Sequence, residues 1–154
     1  MLNHLDIIHA DKSYLNTIVE FQKQMAYETE GIVLEEQTVY SGVKHIFDHP
    51  QTGHYLIAKH KDEIIANLLV LFEWSDWRNG DVLWIHSVFV KPEYRGMGVF
   101  KSMYQHVKKE VEERKDYKGI RLYVEKQNQK AQKVYKALGM SNEHYELFEW
   151  LKDE

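Results

Sequence analysis

The sequence predicts an α/β domain with a mixed, largely antiparallel β-sheet, and two observations indicate this class. Apolar residues recur at helical spacing in some segments and alternate with polar residues in others. The segments follow one another in the order βααβββαβαβ, with three consecutive strands near the middle of the chain. The length of 154 residues is that of one ordinary domain, and no linker or repeat interrupts it, so we expect a single domain over residues 1–154.

The first third of the chain predicts one short strand and two helices. Leucine and isoleucine residues at positions 5–8 indicate the strand. Apolar residues near helical spacing predict a helix over residues 12–27. The second helix is predicted from Glu36 to Asp48, and Pro50 follows its end.

The middle of the chain is rich in strand-forming residues. We predict strands at Tyr55–His60, Ile64–Trp74 and Val82–Val90. A tight turn over His60–Glu63 joins the first two, and Asn79-Gly80 is a signal for a two-residue hairpin before the third. These strands pair antiparallel and lead into a glycine-rich turn.

The later part of the chain returns to alternating helices and strands. A helix of about four turns follows Gly98, because Val99, Phe100, Met103, Val107 and Val111 form one apolar stripe. Alternation then predicts a strand over Ile120–Val124. A helix over Asn128–Leu138 follows, ended by Gly139, and a last strand is expected near His144–Trp150.

Composition and charge exclude several classes of function. The chain has no cysteine, which rules out a thiolate nucleophile and a disulfide framework. It is acidic overall, with net charge −4, yet residues 91–136 hold 13 Lys and Arg against 6 Asp and Glu. The basic excess indicates either solvated helix faces or a site for a phosphate ligand, with the acidic earlier part meeting a cationic partner. A nucleic acid partner is less expected, because the whole chain is acidic and its basic segment has no aromatic-rich binding motif. Without a secretory signal or a membrane-length apolar run, the expected location is cytoplasmic, with no membrane partner.

The segment VKPEYRGMGVFKS, residues 90–102, carries two close glycines between a strand and a helix. A dinucleotide-binding fingerprint requires a third glycine where this chain has Lys101, and a Walker A loop requires glycines where it has Arg95 and Phe100. What remains is a strand, a glycine turn and a long helix. Backbone amides of residues 96–100 at the start of that helix suit a pyrophosphate, with Arg95 adding positive charge. The alternative is a helix start whose glycines only allow tight packing.

A second motif lies about thirty residues further on. Residues 128–140 read N-x-x-A-x-x-x-Y-x-x-x-G-M. Together with the earlier R-G-x-G, this motif resembles the GCN5-related N-acetyltransferase (GNAT) superfamily, and the strand and helix order over nearly the whole chain agrees. Residues 71–90 are more weakly similar to a hairpin of diamine (spermidine/spermine) acetyltransferases. Phe100 departs from the family, which usually has Gly or Ala there.

The resemblance implies acetyl-CoA as cosubstrate and a sheet splayed between its fourth and fifth strands. In the family, the pantetheine arm pairs with backbone groups in that gap, which places it beside residues 88–90, while Asn128 contacts the same arm. The expected acetyl-CoA contacts are Val88, Phe89, Val90, Arg95, Gly96, Met97, Gly98, Val99, Phe100, Asn128, Ala131 and Tyr135.

The resemblance also implies the chemistry. Tyr135 matches the family's general acid, whose hydroxyl protonates the departing CoA thiolate; the alternative is a tyrosine that only packs on the core face. His86 matches the place of a histidine that acts as base in similar arylalkylamine acetyltransferases, and its usual pKa near 6.5 suits that role. The alternative is a hydrogen-bonded strand histidine. Without cysteine, direct transfer within a ternary complex is favoured over an acyl-enzyme.

The expected acceptor is a small cationic amine such as a polyamine, while amino acids, peptide amines and aminoglycosides remain open. Carboxylates and aromatic rings suited to a cation are Tyr27, Glu28, Glu30, Trp74 and Trp77; a solvated acidic loop is the alternative. The rival function is a non-catalytic acyl-CoA sensor or interaction module. The resemblance makes a homodimer a possible assembly.

Three histidines, at positions 45, 49 and 54, have spacing that suggests they face one another. No metal motif such as H-E-x-x-H accompanies them. The sequence therefore predicts no metal site.

Overall fold

The computed structural model describes residues 2–152 of the chain. The helices are α1 (Leu15–Glu30), α2 (Glu36–Asp48), α3 (Val99–Glu113) and α4 (Gln129–Ala137). The strands are β1 (Leu5–His9), β2 (Gly53–His60), β3 (Glu63–Ser75), β4 (Gly80–Val90) and β5 (Tyr117–Arg121). Single 3-10 turns precede α1 and follow β4, at Lys12–Tyr14 and Pro92–Tyr94. None of the helices within residues 2–152 combines the length and apolarity needed to cross a membrane.

The chain divides into two compact units after Arg121. The first unit holds the sheet with α1, α2 and α3, and the second holds α4. The single domain expected over residues 1–154 stays a prediction.

The five strands form one sheet in the order β1-β2-β3-β4-β5. Neighbouring strands are antiparallel, except that β4 and β5 are parallel, which confirms the predicted mixed, largely antiparallel sheet. The pairing of β4 with β5 runs from Asp81 to Trp84, whereas its pairing with β3 continues to Val90. The sheet therefore opens between its fourth and fifth strands, as expected.

The core of the first unit lies on both faces of this sheet. Tyr55 and Ile57 of β2 belong to a buried cluster with residues of α1 and α2, including Ile18 and Val43. Leu56 is fully buried between Tyr55 and Ile57, and alternation along the strand points it to the opposite face. Helix α3 buries one stripe, Val99, Met103, Tyr104 and Val107, and contacts β1, β2, β4 and β5.

The hairpin predicted at Asn79-Gly80 is present, but its loop is longer than predicted. Ser75 pairs with Gly80, so the connection consists of the four residues 76–79. Asn79 has a positive φ of 52°, whereas Gly80 begins the strand. A Cβ on Gly80 would lie 2.7 Å from the carbonyl oxygen of Asp116. Gly80 therefore allows the close approach of the chain before β5, and does not form the turn itself.

Two predicted strands differ in the structure. β5 lies at Tyr117–Arg121 and not at Ile120–Val124, because its pairing starts at the hydrogen bond from the Asp81 amide to the Asp116 carbonyl, 2.8 Å long. The strand predicted near His144–Trp150 is not formed, and residues 141–152 lie in no helix or strand. Strands require partners for their backbone groups, and α4 is the only regular element among the described residues of the second unit.

Candidate active site

A bulge in β4 shapes the sheet beside the gap. Asn67 of β3 lies opposite Phe89, and Leu69 lies opposite His86, so β4 holds one extra residue between these pairs. Ser87 in the bulge has a φ of +53°. Asn67 is fully buried, and its Nδ2 group donates a 2.9 Å hydrogen bond to the Ser87 carbonyl. Sequence reasoning missed this role, although a lone asparagine in the apolar run of β3 was a signal for it.

The three residues expected to pair with pantetheine lie at and after this bulge. Phe89 is buried, and its ring packs 5.0 Å from that of Phe21 in α1. The Val90 carbonyl accepts a 2.8 Å hydrogen bond from Nε of Arg95. The main chain at Val88 and Phe89 lies on the part of β4 that extends beyond its pairing with β5.

The strand, turn and helix predicted from the glycine-rich segment are all formed. Gly96 and Gly98 have φ values of +77° and +79°, and α3 begins at Val99 directly after them. A Cβ on Gly96 would meet nothing within 4 Å, so there is room for a side chain at this position. Glycine is favoured here because of the positive φ, not because of close neighbours. Helix α3 has Gly98 at its N-cap position, and this residue forms no side-chain cap hydrogen bond. Its first amides and the helix dipole therefore face the turn, as in anion sites at helix starts.

Glu63 at the start of β3 anchors the chain ahead of the glycines. Its carboxylate accepts hydrogen bonds from Lys91 Nζ at 2.8 Å and from the Tyr94 hydroxyl at 2.7 Å. The Lys91 ammonium, followed by the Tyr94 hydroxyl, holds the pKa of Glu63 below its usual value. These contacts tie both ends of the 3-10 turn to the sheet, and sequence reasoning did not find them.

Arg95 is engaged away from the helix start. One guanidinium nitrogen donates to Glu28 at the end of α1 at 2.7 Å, and Nε donates to Val90. The guanidinium also lies 5.6 Å over the Phe89 ring. The positive charge expected to serve a pyrophosphate is therefore paired with a carboxylate in this structure, with both side chains partly exposed.

His86 lies in β4 immediately before the bulge and is partly buried. Burial lowers its pKa below the usual value, so the imidazole is neutral at pH 7 and able to accept a proton. Its ring stacks with that of Trp84, with centroids 6.0 Å apart. Trp84 shares the strand face with His86, since a single residue separates them, and sequence reasoning did not single it out.

In the second unit, the motif over residues 128–140 supplies the residues that cap both ends of α4. Asn128 caps α4, because its side-chain oxygen accepts a 3.1 Å hydrogen bond from the Ala131 amide. After the helix, Gly139 has a φ of +92°, and the Met140 amide donates to the Tyr135 carbonyl at 3.0 Å, which is a Schellman cap. Tyr135 is partly buried, and burial raises the pKa of its hydroxyl. The phenol is therefore fully protonated at neutral pH.

The five residues expected at the acceptor site have different environments. Glu28 pairs with Arg95, and Tyr27 exposes 65% of its surface. Trp74 and Trp77 lie at the tip of the β3–β4 hairpin, and Trp77 is 91% exposed. Trp74 is five residues from Leu69, the partner of His86, which is about 17 Å along the strand. The two tryptophans therefore lie away from the bulge, and Glu30 is exposed at the end of α1.

The three histidines at positions 45, 49 and 54 do not all face one another. His45 and His49 stack with ring centroids 3.9 Å apart, whereas His54 stacks instead on His9 at 4.2 Å. The pairing follows from the sheet, because His54 lies in β2 and His9 in the adjacent β1.

Comparison with known proteins identifies relatives. The sequence profile of the acetyltransferase (GNAT) family matches residues 15–140. A thialysine N-epsilon-acetyltransferase from Bos taurus is 38% identical over 76 residues, which are 49% of this chain and 44% of that protein. The match therefore spans less than half of that relative's length.

Solved structures agree with the fold. A possible acetyltransferase from Clostridium difficile 630 has a TM-score of 0.90 and 35% identity, covering 97% of this chain and 99% of that one. A second solved structure is a predicted acetyltransferase with acetyl-CoA from Clostridium acetobutylicum. It has a TM-score of 0.72 and 21% identity, and the match covers 97% of this chain and 96% of that one. The second likeness shows the fold alone. The resemblance inferred from the two motifs is confirmed.

Two glycine-to-alanine substitutions test whether the turn requires the positive φ at Gly96. Gly96→Ala is expected to lower the free energy of unfolding by about 1–2 kcal/mol, because a side chain is strained in the left-handed region. Gly42→Ala, within α2 and also with nothing within 4 Å of the added Cβ, is expected to raise it by about 0.5–1 kcal/mol. Urea denaturation measures both. Equal effects from the two substitutions would contradict the conformation assigned to the turn.

Proposed function

We propose that this chain, which belongs to the acetyltransferase (GNAT) family, transfers an acetyl group from acetyl-CoA to a primary amine. The observation that carries the proposal is the uncapped amino end of α3, reached through two glycines with positive φ. This arrangement presents backbone amides to an anion. This glycine turn comes after β4, which carries a bulge and is no longer paired with β5 at its end.

In this proposal the turn holds the pyrophosphate of acetyl-CoA. The amides of residues 96–100 donate to phosphate oxygens, and the dipole of α3 adds to the attraction. The pantetheine arm then lies along β4, where it pairs with main-chain groups at Val88 and Phe89. Asn128 uses its side-chain oxygen as a helix cap, which leaves its amide NH₂ as the group that contacts pantetheine.

The chemistry is direct transfer. The amine nitrogen attacks the carbonyl carbon of the acetyl thioester, so a C–N bond forms and the C–S bond breaks. His86 accepts the proton that the amine loses, and its lowered pKa supports this role. Tyr135 gives its hydroxyl proton to the CoA thiolate, and its raised pKa keeps that proton in place until the thiolate develops. Direct attack also agrees with the absence of cysteine from the sequence.

For the acceptor we propose a small cationic amine, with polyamines as the first class to test. The curated relative is named for acetylating the epsilon nitrogen of thialysine. Glu28, Glu30 and Tyr27 lie on the last turn of α1, where carboxylates and an exposed ring can contact an ammonium group. Glu28 is shared with Arg95, which links this acceptor surface to the turn proposed for CoA.

An amine panel tests the proposal and separates it from a non-catalytic acyl-CoA sensor. Thiol release from acetyl-CoA is measured with spermidine, thialysine, lysine, an aminoglycoside and a peptide amine. We expect release with at least one cationic amine and the strongest release with a di- or polyamine. Tight CoA binding without release for any amine would support the sensor. Activity restricted to the peptide would overturn the proposed acceptor class.

Tyr135→Phe tests the general acid. We expect acetyl-CoA binding to be kept and turnover to fall at least about tenfold, because a positioned acid contributes roughly 10² to 10⁴ in rate. Steady-state kinetics and calorimetric CoA binding measure the two effects. Tyr104→Phe is the matched control, since burial also raises the pKa of that hydroxyl, and its turnover is expected to be unchanged. Unchanged turnover in Tyr135→Phe would remove Tyr135 as the acid.

Glu28→Gln tests the competition for Arg95. Removing the carboxylate frees the guanidinium for the pyrophosphate, so the Kd for acetyl-CoA is expected to fall about two- to fivefold, the range of an exposed ion pair. Glu30→Gln removes the same charge two residues away. Glu30 forms no ion pair within residues 2–152, so this variant is expected to change the Kd less. Calorimetry at two salt concentrations measures both variants. Equal effects would assign the change to net charge instead of the Arg95 contact.

A further inference from the structure

Three histidines and one glutamate meet on the face of the sheet that α3 covers. His9 ends β1, His54 lies in β2, and His106 and Glu110 lie one turn apart on α3. Glu110 Oε1 is 2.7 Å from His9 Nε2 and 3.1 Å from His106 Nε2. The His9 and His54 rings stack with centroids 4.2 Å apart. Four groups that can bind a metal therefore come together from three elements.

One member of this group lacks a hydrogen bond. The Nε2 atom of His54 is buried and has no hydrogen-bond partner among the described residues. A buried polar atom left in this state costs free energy and calls for an explanation. An imidazole nitrogen left without a hydrogen-bond partner can bind a metal ion.

The spacing of the donor atoms is close to that of a metal site. One donor atom from each of His9, His54 and Glu110 lies within 4.8 Å of the others. Around a tetrahedral Zn²⁺ with bonds of about 2.0–2.2 Å, neighbouring ligand atoms are about 3.3–3.6 Å apart. Coordination would therefore require side-chain rotations of His9 and Glu110, whose side chains are both partly exposed.

We propose that His9, His54 and Glu110 bind a divalent transition-metal ion of the Zn²⁺ class, with water completing the coordination. Two imidazoles and one carboxylate form a donor set that Zn²⁺ accepts, whereas Mg²⁺ and Ca²⁺ prefer oxygen ligands alone. His106 donates to Glu110 and orients the carboxylate. On binding, the His9 nitrogen that now contacts Glu110 coordinates the metal instead. The sequence predicted no metal site, so this proposal departs from that prediction.

The position of the site indicates a structural role. Glu110 lies eleven residues from Val99 on α3, about 16 Å from the amino end of the helix at 1.5 Å per residue. The metal would join β1, β2 and α3, which come from distant parts of the chain. It would stabilise the unit that carries the glycine turn without taking part in acetyl transfer, so this proposal does not depend on the proposed function.

Calorimetry on the metal-stripped full chain tests the site. We expect ZnCl₂ to bind with one ion per chain and to raise the thermal midpoint, while MgCl₂ does neither. His54→Ala and Glu110→Gln are expected to weaken Zn²⁺ binding at least about tenfold. The control is the double variant His45→Ala/His49→Ala, which removes an exposed histidine pair with i, i+4 spacing and is expected to keep the binding.

The outcomes distinguish this site from adventitious binding. Loss of binding in the control, or unchanged binding in Glu110→Gln, would overturn the proposal. Glu110→Gln keeps the size of the side chain, so it remains informative if His54→Ala does not fold. Far-UV circular dichroism of each metal-free variant confirms that a lost signal reflects a lost ligand and not an unfolded chain. No Zn²⁺ binding by the wild-type chain would also overturn the proposal.

Discussion

The hydrogen bond from the buried Asn67 amide to the Ser87 carbonyl is the interaction on which the arrangement of β4 depends. Ser87 adopts a positive φ, which costs a non-glycine residue about 1–2 kcal/mol. The hydrogen bond from the fully buried Asn67 side chain offsets part of this cost. The bulge changes the direction of β4 between His86 and Phe89. Pairing with β5 ends earlier, at Trp84, and beyond the bulge β4 leads through the 3-10 turn at Pro92–Tyr94 into the glycine turn.

The turn is held from two sides by carboxylates. Glu63 of β3 binds Lys91 and Tyr94 before the glycines, and Glu28 of α1 binds Arg95. Both carboxylates belong to the acidic first part of the chain, whereas the turn opens its basic part. The positive charges of Lys91 and Arg95 are therefore already paired with carboxylates. In the proposed function, a phosphate of acetyl-CoA that contacts Arg95 would replace Glu28 as its partner.

Helix α3 serves as a common support for two features at different points along its length. Its amino end carries the amides after Gly98, and its third and fourth turns carry His106 and Glu110 near β1 and β2. The apolar stripe between them is buried, so the helix cannot slide without exposing core residues. Contacts at the histidine cluster thus contribute to the position of the glycine turn through a rigid element.

The sequence by itself determined the elements whose signals are local. The bounds of α2 match the prediction from Glu36 to Asp48, and the glycine turn and the helix capped by Asn128 and Gly139 are formed. Helical periodicity, cap residues and positive-φ glycines act within a few residues of one another, so a short window contains all of their information.

Only the tertiary structure decided the contacts that join distant residues. Arg95 and Glu28 are 67 positions apart and His9 and Glu110 are 101 apart, so no spacing rule connects them. The same limit applies to β5, whose start depends on its register with β4. It also applies to the strand predicted near His144–Trp150, which was not formed. A strand is completed by a partner elsewhere in the chain, and the choice of that partner is a property of the folded molecule.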